Sequence, residues 1–261
     1  MTALLVRGDE LHVDDVPGPP GAPVIVWGHG FLLSAASYAA VIADLPQFRH
    51  VLPDLRGHGR SAGAASDATL SRMAADTWQV TQALGVHRFA FVGHSMGNAV
   101  GVRLAAEHPD AVTAGVSLAG IPVTGKQPQA RDGVAGMVDL AGDAPGLAAA
   151  LAGLFVHEDA HSTLVVEAGR QAALVPRECV AEIVGHQFFL DDSAELLPRL
   201  AQPWLFLVPS DDTAEPPGYQ RSQAALLPHA RVTVLDGEGH MFPQERPDLA
   251  AQHISAFLLQ P

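Results

Sequence analysis

The sequence predicts an α/β fold: a mostly parallel central sheet, helices on both faces, and a helical insertion ahead of the penultimate strand. Three observations carry this expectation. Short apolar runs alternate with longer stretches of helical periodicity, the pattern of strands joined by crossover helices. One strand runs through Gly93-His94-Ser95-Met96-Gly97 directly into a helix. Finally, roughly 80 residues of helical character separate Ile121-Pro122 from Trp204, far more than an ordinary connection.

The elements follow in order. Leu4–Val6 and Leu11–Val13, parted by Gly8-Asp9, read as an opening hairpin. Val24–Trp27 is a buried strand that runs into Gly28-His29-Gly30-Phe31, and His50–Leu52 is another that ends in Pro53-Asp54. Ser37–Leu45 lies between them as a helix. Leu70–Leu84 carries apolar residues at helical spacing and stops at Gly85, a natural C-terminal cap. Phe89–Val92 is a strand, Asn98–Glu107 a helix and Val112–Leu118 the next strand. Within the long gap, Val134–Leu140, Gly146–Phe155, Thr163–Leu174 and Cys179–Phe189 read as helices. Trp204–Val208 and Val232–Leu235 resume the sheet, and Asp248–Leu259 closes the chain as an amphipathic helix. Residues 1–121 and 203–261 are thus expected to form the core, with 122–202 as a helical lid over the C-terminal edge of the sheet.

At 261 residues the chain can bury a substantial core. Charged residues make up only 16% of it, which excludes a disordered polymer. The formal charge of −13 repels phosphate backbones and anionic membranes, so neither nucleic acid nor membrane is an expected partner. Lys126 is the only lysine, and with the abundant Ala, Gly and Pro this reads as coding bias rather than function. Cys179 stands alone, so no intrachain disulfide is possible. Arg7, Asp9 and Glu10 interrupt the N-terminus before a secretory apolar core can develop, and the expected location is the cytoplasm.

The chemistry is concentrated in three places. Gly93-His94-Ser95-Met96-Gly97 fits G-x-S-x-G between a strand and a helix, where the glycines remove side chains that a sharp turn would crush together. Ser95 is then held above the sheet edge, close to the positive end of the following helix. A serine hydroxyl is a poor nucleophile at neutral pH and needs a base within hydrogen-bond reach. Of the 13 histidines, His240 is singled out by its place in Gly237-Glu238-Gly239-His240-Met241, just after the last strand. A carboxylate must then orient that imidazole. Asp211 and Asp212, which follow Trp204–Val208, both qualify on spacing.

These residues resemble the α/β-hydrolase superfamily, in particular its lidded esterase, haloperoxidase-like and C–C-bond hydrolase branch. The resemblance covers almost the whole chain and is weakest in the lid. His29-Gly30-Phe31 is similar to the family's oxyanion loop, and Asp54-Leu55-Arg56-Gly57-His58-Gly59-Arg60-Ser61 to the turn after its next strand. Pro203 through Pro216 resembles the segment bearing G-x-x-D, with Pro209 in place of the glycine, and that register implies Asp212 as the acid. The resemblance implies an α/β-hydrolase fold, a Ser95–Asp212–His240 triad, and an oxyanion hole made by the backbone N–H groups of Phe31 and Met96. It implies no cofactor and no metal. Asn98, where relatives often have a second glycine, and Met241, where C–C hydrolases commonly place Trp, both point away from the C–C branch.

The expected activity is hydrolysis of a carboxylic ester or lactone of a small, apolar substrate through an acyl-enzyme on Ser95. C–C-bond cleavage or perhydrolase (haloperoxidase-like) chemistry by the same triad is the alternative, and a non-catalytic ligand-binding member of the fold a remoter one. Another remote alternative comes from His157-Glu158-Asp159-Ala160-His161, which matches the zinc signature H-E-x-x-H. The longer form of that motif would need glycine at Leu164 and histidine at Glu167, although Glu178 or Glu182 could supply a third ligand. In the lid, Leu147, Leu151, Leu154, Phe155, Phe188 and Phe189 read mainly as packing. Arg131, Arg170, Arg177 and Arg199 read mainly as solvated surface, with a substrate carboxylate as their other use.

Overall fold

Residues along each central strand point alternately into two cores, and this alternation defines the sheet. In the computed structural model, which describes residues 2–6, 8–120, 131–186 and 194–260, β3 (Val24–Gly28) sends Val26 to one face and Ile25 and Trp27 to the other. β7 (Trp204–Pro209) divides Trp204, Phe206 and Val208 from Leu205 and Leu207 in the same way. Both faces are dry, as parallel strands covered by helices require.

With β1 (Thr2–Val6), β2 (Asp9–Val16), β4 (Arg49–Pro53), β5 (Phe89–His94), β6 (Val112–Leu118) and β8 (Ala230–Leu235), these strands form one sheet in the order β1-β2-β4-β3-β5-β6-β7-β8. β2 is antiparallel to both neighbours, and the other pairings are parallel. α2 (Leu70–Ala83), α3 (Met96–Glu107) and α8 (Pro217–Ala224) bury side chains in one core. α1 (Ala39–Ala43), α9 (Phe242–Glu245) and α10 (Pro247–Leu258) pack in the other.

Local signals explain the boundaries. Gly8 turns the β1–β2 hairpin at φ 93° and Gly85 ends α2 at φ 64°, conformations that suit glycine. The Thr69 hydroxyl accepts from the Arg72 N–H at 3.2 Å and caps the start of α2. The helix expected over Ser37–Leu45 is instead a 3₁₀ turn, Ala35–Tyr38, followed by the short α1. α3 begins at Met96 rather than Asn98, so Ser95 alone separates it from β5. α8 carries no helical signal in the sequence, where its start (Pro216-Pro217-Gly218) resembles a loop; a parallel β7–β8 pair nonetheless needs a crossover.

Between β6 and β7 lie α4 (Arg131–Asp139), α5 (Ala144–Leu151), α6 (Thr163–Ala173) and α7 (Arg177–His186). α5 packs on α6 and α4 on α7. Asp143 and Ser162 cap α5 and α6 by accepting the N–H groups of Gly146 and Val165. Arg177 starts α7 two residues before the expected Cys179. Phe188, Phe189, the Arg131 side chain and the expected boundary at 121/122 lie outside the described residues. Among those described, no helix is long and apolar enough to cross a membrane.

One buried ion pair ties the first strands to α2. The Arg56 guanidinium, 1% exposed, donates to Asp76 at 2.8 Å and to Asp9 at 2.7 Å. Removing one partner strands a desolvated charge, so Asp76→Ala is expected to cost about 3–5 kcal/mol of stability, read from urea unfolding. A loss within ~0.5 kcal/mol would show that Asp9 and solvent suffice for Arg56.

Candidate active site

The turn between β5 and α3 is built by what its glycines lack. A Cβ on Gly97 would lie 1.9 Å from the Gly28 carbonyl oxygen, and one on Gly93 would lie 2.6 Å from the Asn98 nitrogen. Only bare backbone lets the end of β3 and the first turn of α3 approach this closely. Ser95 occupies the turn at φ 51°, ψ −118°, a strained conformation for a residue with a side chain. Its amide donates to the Leu118 carbonyl at 3.1 Å, which anchors the turn to the end of β6.

Of the two candidate acids, Asp212 reaches the histidine. Its oxygens lie 3.0 and 3.1 Å from His240 Nδ1, and it also accepts from the amides of Ala214 (2.9 Å) and Glu215 (2.8 Å) and from Gln220 Nε2 (3.0 Å). Four N–H groups thus converge on one buried carboxylate. Asp211 is exposed and takes the Ser210 hydroxyl at 2.8 Å. Accepting at Nδ1 from no one and facing a carboxylate there, His240 carries its proton on that nitrogen, which leaves Nε2 as the basic atom.

The loop after β3 is held from below by a neutral histidine, a carboxylate and a tyrosine hydroxyl. His29 Nε2 accepts the Leu55 amide at 2.9 Å while its Nδ1 donates to the Gly30 carbonyl at 2.9 Å, and burial lowers its pKa. Asp54 accepts the Ala35 amide at 2.8 Å, and the Tyr38 hydroxyl donates to the Gly28 carbonyl at 2.8 Å. Leu32, at φ 63°, bends the chain here beside Phe31. Met96 is the first residue of α3, so its amide has no carbonyl partner within the helix; its side chain is buried in the core.

His94 has a positioning role that the sequence reading left unassigned. Its Nε2 donates to the His240 carbonyl at 2.9 Å, and burial pushes its pKa down to about 3. Glu215 was also missed. Burial first, and the Asp212 charge second, push its pKa up to about 9, so it is protonated at neutral pH. A second carboxylate three residues after Asp212 was visible in the sequence; its burial was not.

Ser95, His240, Phe31 and Glu215 line one cavity of about 250 Å³, with Leu151 and Leu154 of the insertion opposite. The volume lies just below the ~300–1,000 Å³ usual for small-molecule sites. The insertion is tied to the His240 and Asp212 loops: Met241 donates to the Leu154 carbonyl, the His157 amide to Glu245 at 2.7 Å, and Thr213 Oγ1 to the Gly153 carbonyl. The H-E-x-x-H stretch is not helical, so His157 and His161 do not share a helix face. His157 instead bonds Glu238 at 2.9 Å. No group of three or more potential metal ligands occurs among the described residues. Arg170 and Arg177 pair with Glu167 and Asp139 at the surface, Arg199 is exposed, and none of the three lines the cavity.

Sheet order, elbow and paired Asp–His define an α/β-hydrolase, and comparison with known proteins agrees. The family described as alpha/beta hydrolase fold matches residues 23–247, and the chain belongs to it. It is 28% identical to the magnesium-chelatase 30 kDa subunit of Rhodobacter capsulatus, over 93% of this chain and 87% of that one. Two further curated relatives are matched over only 42% and 40% of their own length. Among solved structures it is similar to the enol-lactonase from Burkholderia xenovorans LB400 (TM-score 0.89, 25% identity, 99% of this chain and 100% of that chain). It is also similar to a thermophilic esterase from Thermogutta terrifontis (TM-score 0.85, 26% identity, 98% and 97%). Hydrolase activity of the α/β-hydrolase type is the function class these findings support.

The raised Glu215 pKa has a consequence for stability. Between its ordinary value and about 9 the folded state holds a proton that the unfolded chain has released. Wild-type stability is therefore penalised progressively as pH rises through that window. Glu215→Gln removes the linkage, so its melting temperature relative to wild type should increase from pH 5 to pH 8. A difference that stays constant across that range would contradict the assignment.

Proposed function

We propose that the protein is a serine hydrolase that cleaves a carboxylic ester or lactone of a small, largely apolar substrate. The observation that carries this reading is the buried Asp212–His240 pair, 3.0 Å apart, with His240 on the wall of the cavity that Ser95, at its strained turn, also lines. In the proposed reaction His240 Nε2 takes the Ser95 proton as Oγ attacks the carbonyl carbon. The C=O electron pair moves onto oxygen, and the oxyanion is held by the amides of Phe31 and Met96. Collapse expels the alkoxide, His240 protonates it, and the acyl group stays on Ser95. Water, deprotonated by His240, then releases the acid and restores the serine.

In this reading residues 122–202 act as the lid, with 1–121 and 203–261 as the catalytic core. Leu151 and Leu154 give the cavity an apolar wall, which suits a small acyl or alcohol group. The similar structures, an enol-lactonase and a thermophilic esterase, support ester and lactone chemistry over C–C cleavage. A soluble cytoplasmic location without metal or cofactor remains part of the proposal.

The magnesium-chelatase subunit favours a second reading, because the match spans almost the full length of both chains. Under it the fold serves as a component of a larger assembly, and turnover is secondary. Labelling by a fluorophosphonate probe separates the two, since only an activated serine reacts readily. Wild type should label at Ser95, and Ser95→Ala should neither label nor turn over esters. Asp212→Asn should lower kcat by about 10⁴-fold through loss of the His240 tautomer. Ester turnover by Ser95→Ala at the wild-type level would falsify the assignment.

A further inference from the structure

The cavity beside Ser95 is mostly apolar, and among the described residues two of its polar side chains keep a buried atom without a hydrogen-bond partner, His94 Nδ1 and Glu215 Oε2. Thr213 gives its hydroxyl to the Gly153 carbonyl, and His94 gives its one ring N–H to the His240 carbonyl, so its Nδ1 can only accept. Ser95 and His240 belong to the reaction. Glu215 remains. It lines the same cavity, is only 9% exposed, and its buried Oε2 has no hydrogen-bond partner among the described residues. A buried carboxyl oxygen without a partner costs stability and is retained where it meets something absent from the free protein.

Resting on the serine-hydrolase reading above, the geometry points to Glu215 as a specificity-determining residue: its carboxylic acid donates a hydrogen bond to an uncharged acceptor oxygen of the substrate, such as a ketone, ether or second ester carbonyl. The acceptor lies within the 250 Å³ cavity and therefore within a few bonds of the scissile carbonyl. The neighbouring charges favour a neutral group over an ion. Asp212, bonded to the Glu215 amide, repels a substrate carboxylate, and the apolar walls desolvate it. An ammonium group would first have to displace the proton that burial keeps on Glu215. The groups facing Glu215 from the surrounding walls are Asp212, His240 and His94.

Two matched series test this. p-Nitrophenyl 4-oxopentanoate against p-nitrophenyl pentanoate places the ketone in the acyl half. 4-Oxopentyl butanoate against pentyl butanoate, followed by acid release, places it in the alcohol half. Wild type should prefer the ketone in one series by about tenfold in kcat/KM, the worth of one net hydrogen bond. Glu215→Leu should bring that ratio close to one. Each ratio comes from a single preparation, so partial unfolding and any change in His240 or Asp212 cancel. Should Glu215→Leu fail to fold, the pH dependence decides: the wild-type ratio should fall between pH 8 and pH 10 as the carboxyl ionises, while Glu215→Gln keeps its preference. A wild-type ratio near one in both series overturns the proposal. So does an unchanged ratio in Glu215→Leu, or better turnover when a carboxylate or ammonium replaces the ketone. If wild type is neither labelled at Ser95 nor active on any ester, the hydrolase reading has failed and takes this one with it. Labelling without a ketone preference counts against Glu215 alone.

Discussion

At the centre of the molecule two backbones touch. The Gly28 carbonyl, at the end of β3, and the Cα of Gly97, in the first turn of α3, are so close that a methyl group on Gly97 would overlap the carbonyl oxygen. This contact fixes the angle at which β5 passes into α3, and with it the φ of 51° at Ser95. It also sets the end of β3 against the start of α3. A strained serine persists only where its surroundings over-determine it. Here they do so on several sides: the Leu118 carbonyl holds the Ser95 amide, and Tyr38 holds the Gly28 carbonyl from the opposite core.

Around that contact the protein uses buried imidazoles as uncharged struts. His29, His50, His58 and His94 all have pKa values lowered chiefly by burial. His29 bridges the loop after β3 to the Leu55 amide, and His50 accepts from Trp27 and donates to the Leu45 carbonyl. His94 holds the backbone of His240. Neutral imidazole suits this work because it offers one donor and one acceptor at opposite sides of a rigid ring. It brings no further charge in beside the buried Asp212–His240 pair. The Glu215 carboxyl, kept protonated nearby, follows the same logic.

Much of the architecture was legible in sequence because both of its periodicities are strong. Alternation along β3 and β7 and the glycine pattern of the elbow mark elements whose burial is set by their own residues. What was not legible depended on partners distant in the chain. α8 looks like a loop from Pro216-Pro217-Gly218, and only the parallel pairing of β7 with β8 requires a crossover there. Spacing left Asp211 and Asp212 equivalent, whereas three-dimensional position sends one to His240 and the other to Ser210. His157-Glu158-Asp159-Ala160-His161 reads as a metal motif only if it is helical; instead, its chain is drawn to Glu238 and Glu245 of the His240 loop.

By itself, then, the sequence determined the strand–elbow–helix unit and the existence of a helical insertion, because each rests on steric or apolar patterns within one segment. Tertiary structure decided which carboxylate orients the histidine, which histidines serve as scaffold, and that Glu215 stands protonated on the cavity wall. Those outcomes depend on desolvation and on hydrogen bonds between residues far apart in the chain, and neither quantity exists until the sheet has brought its loops together.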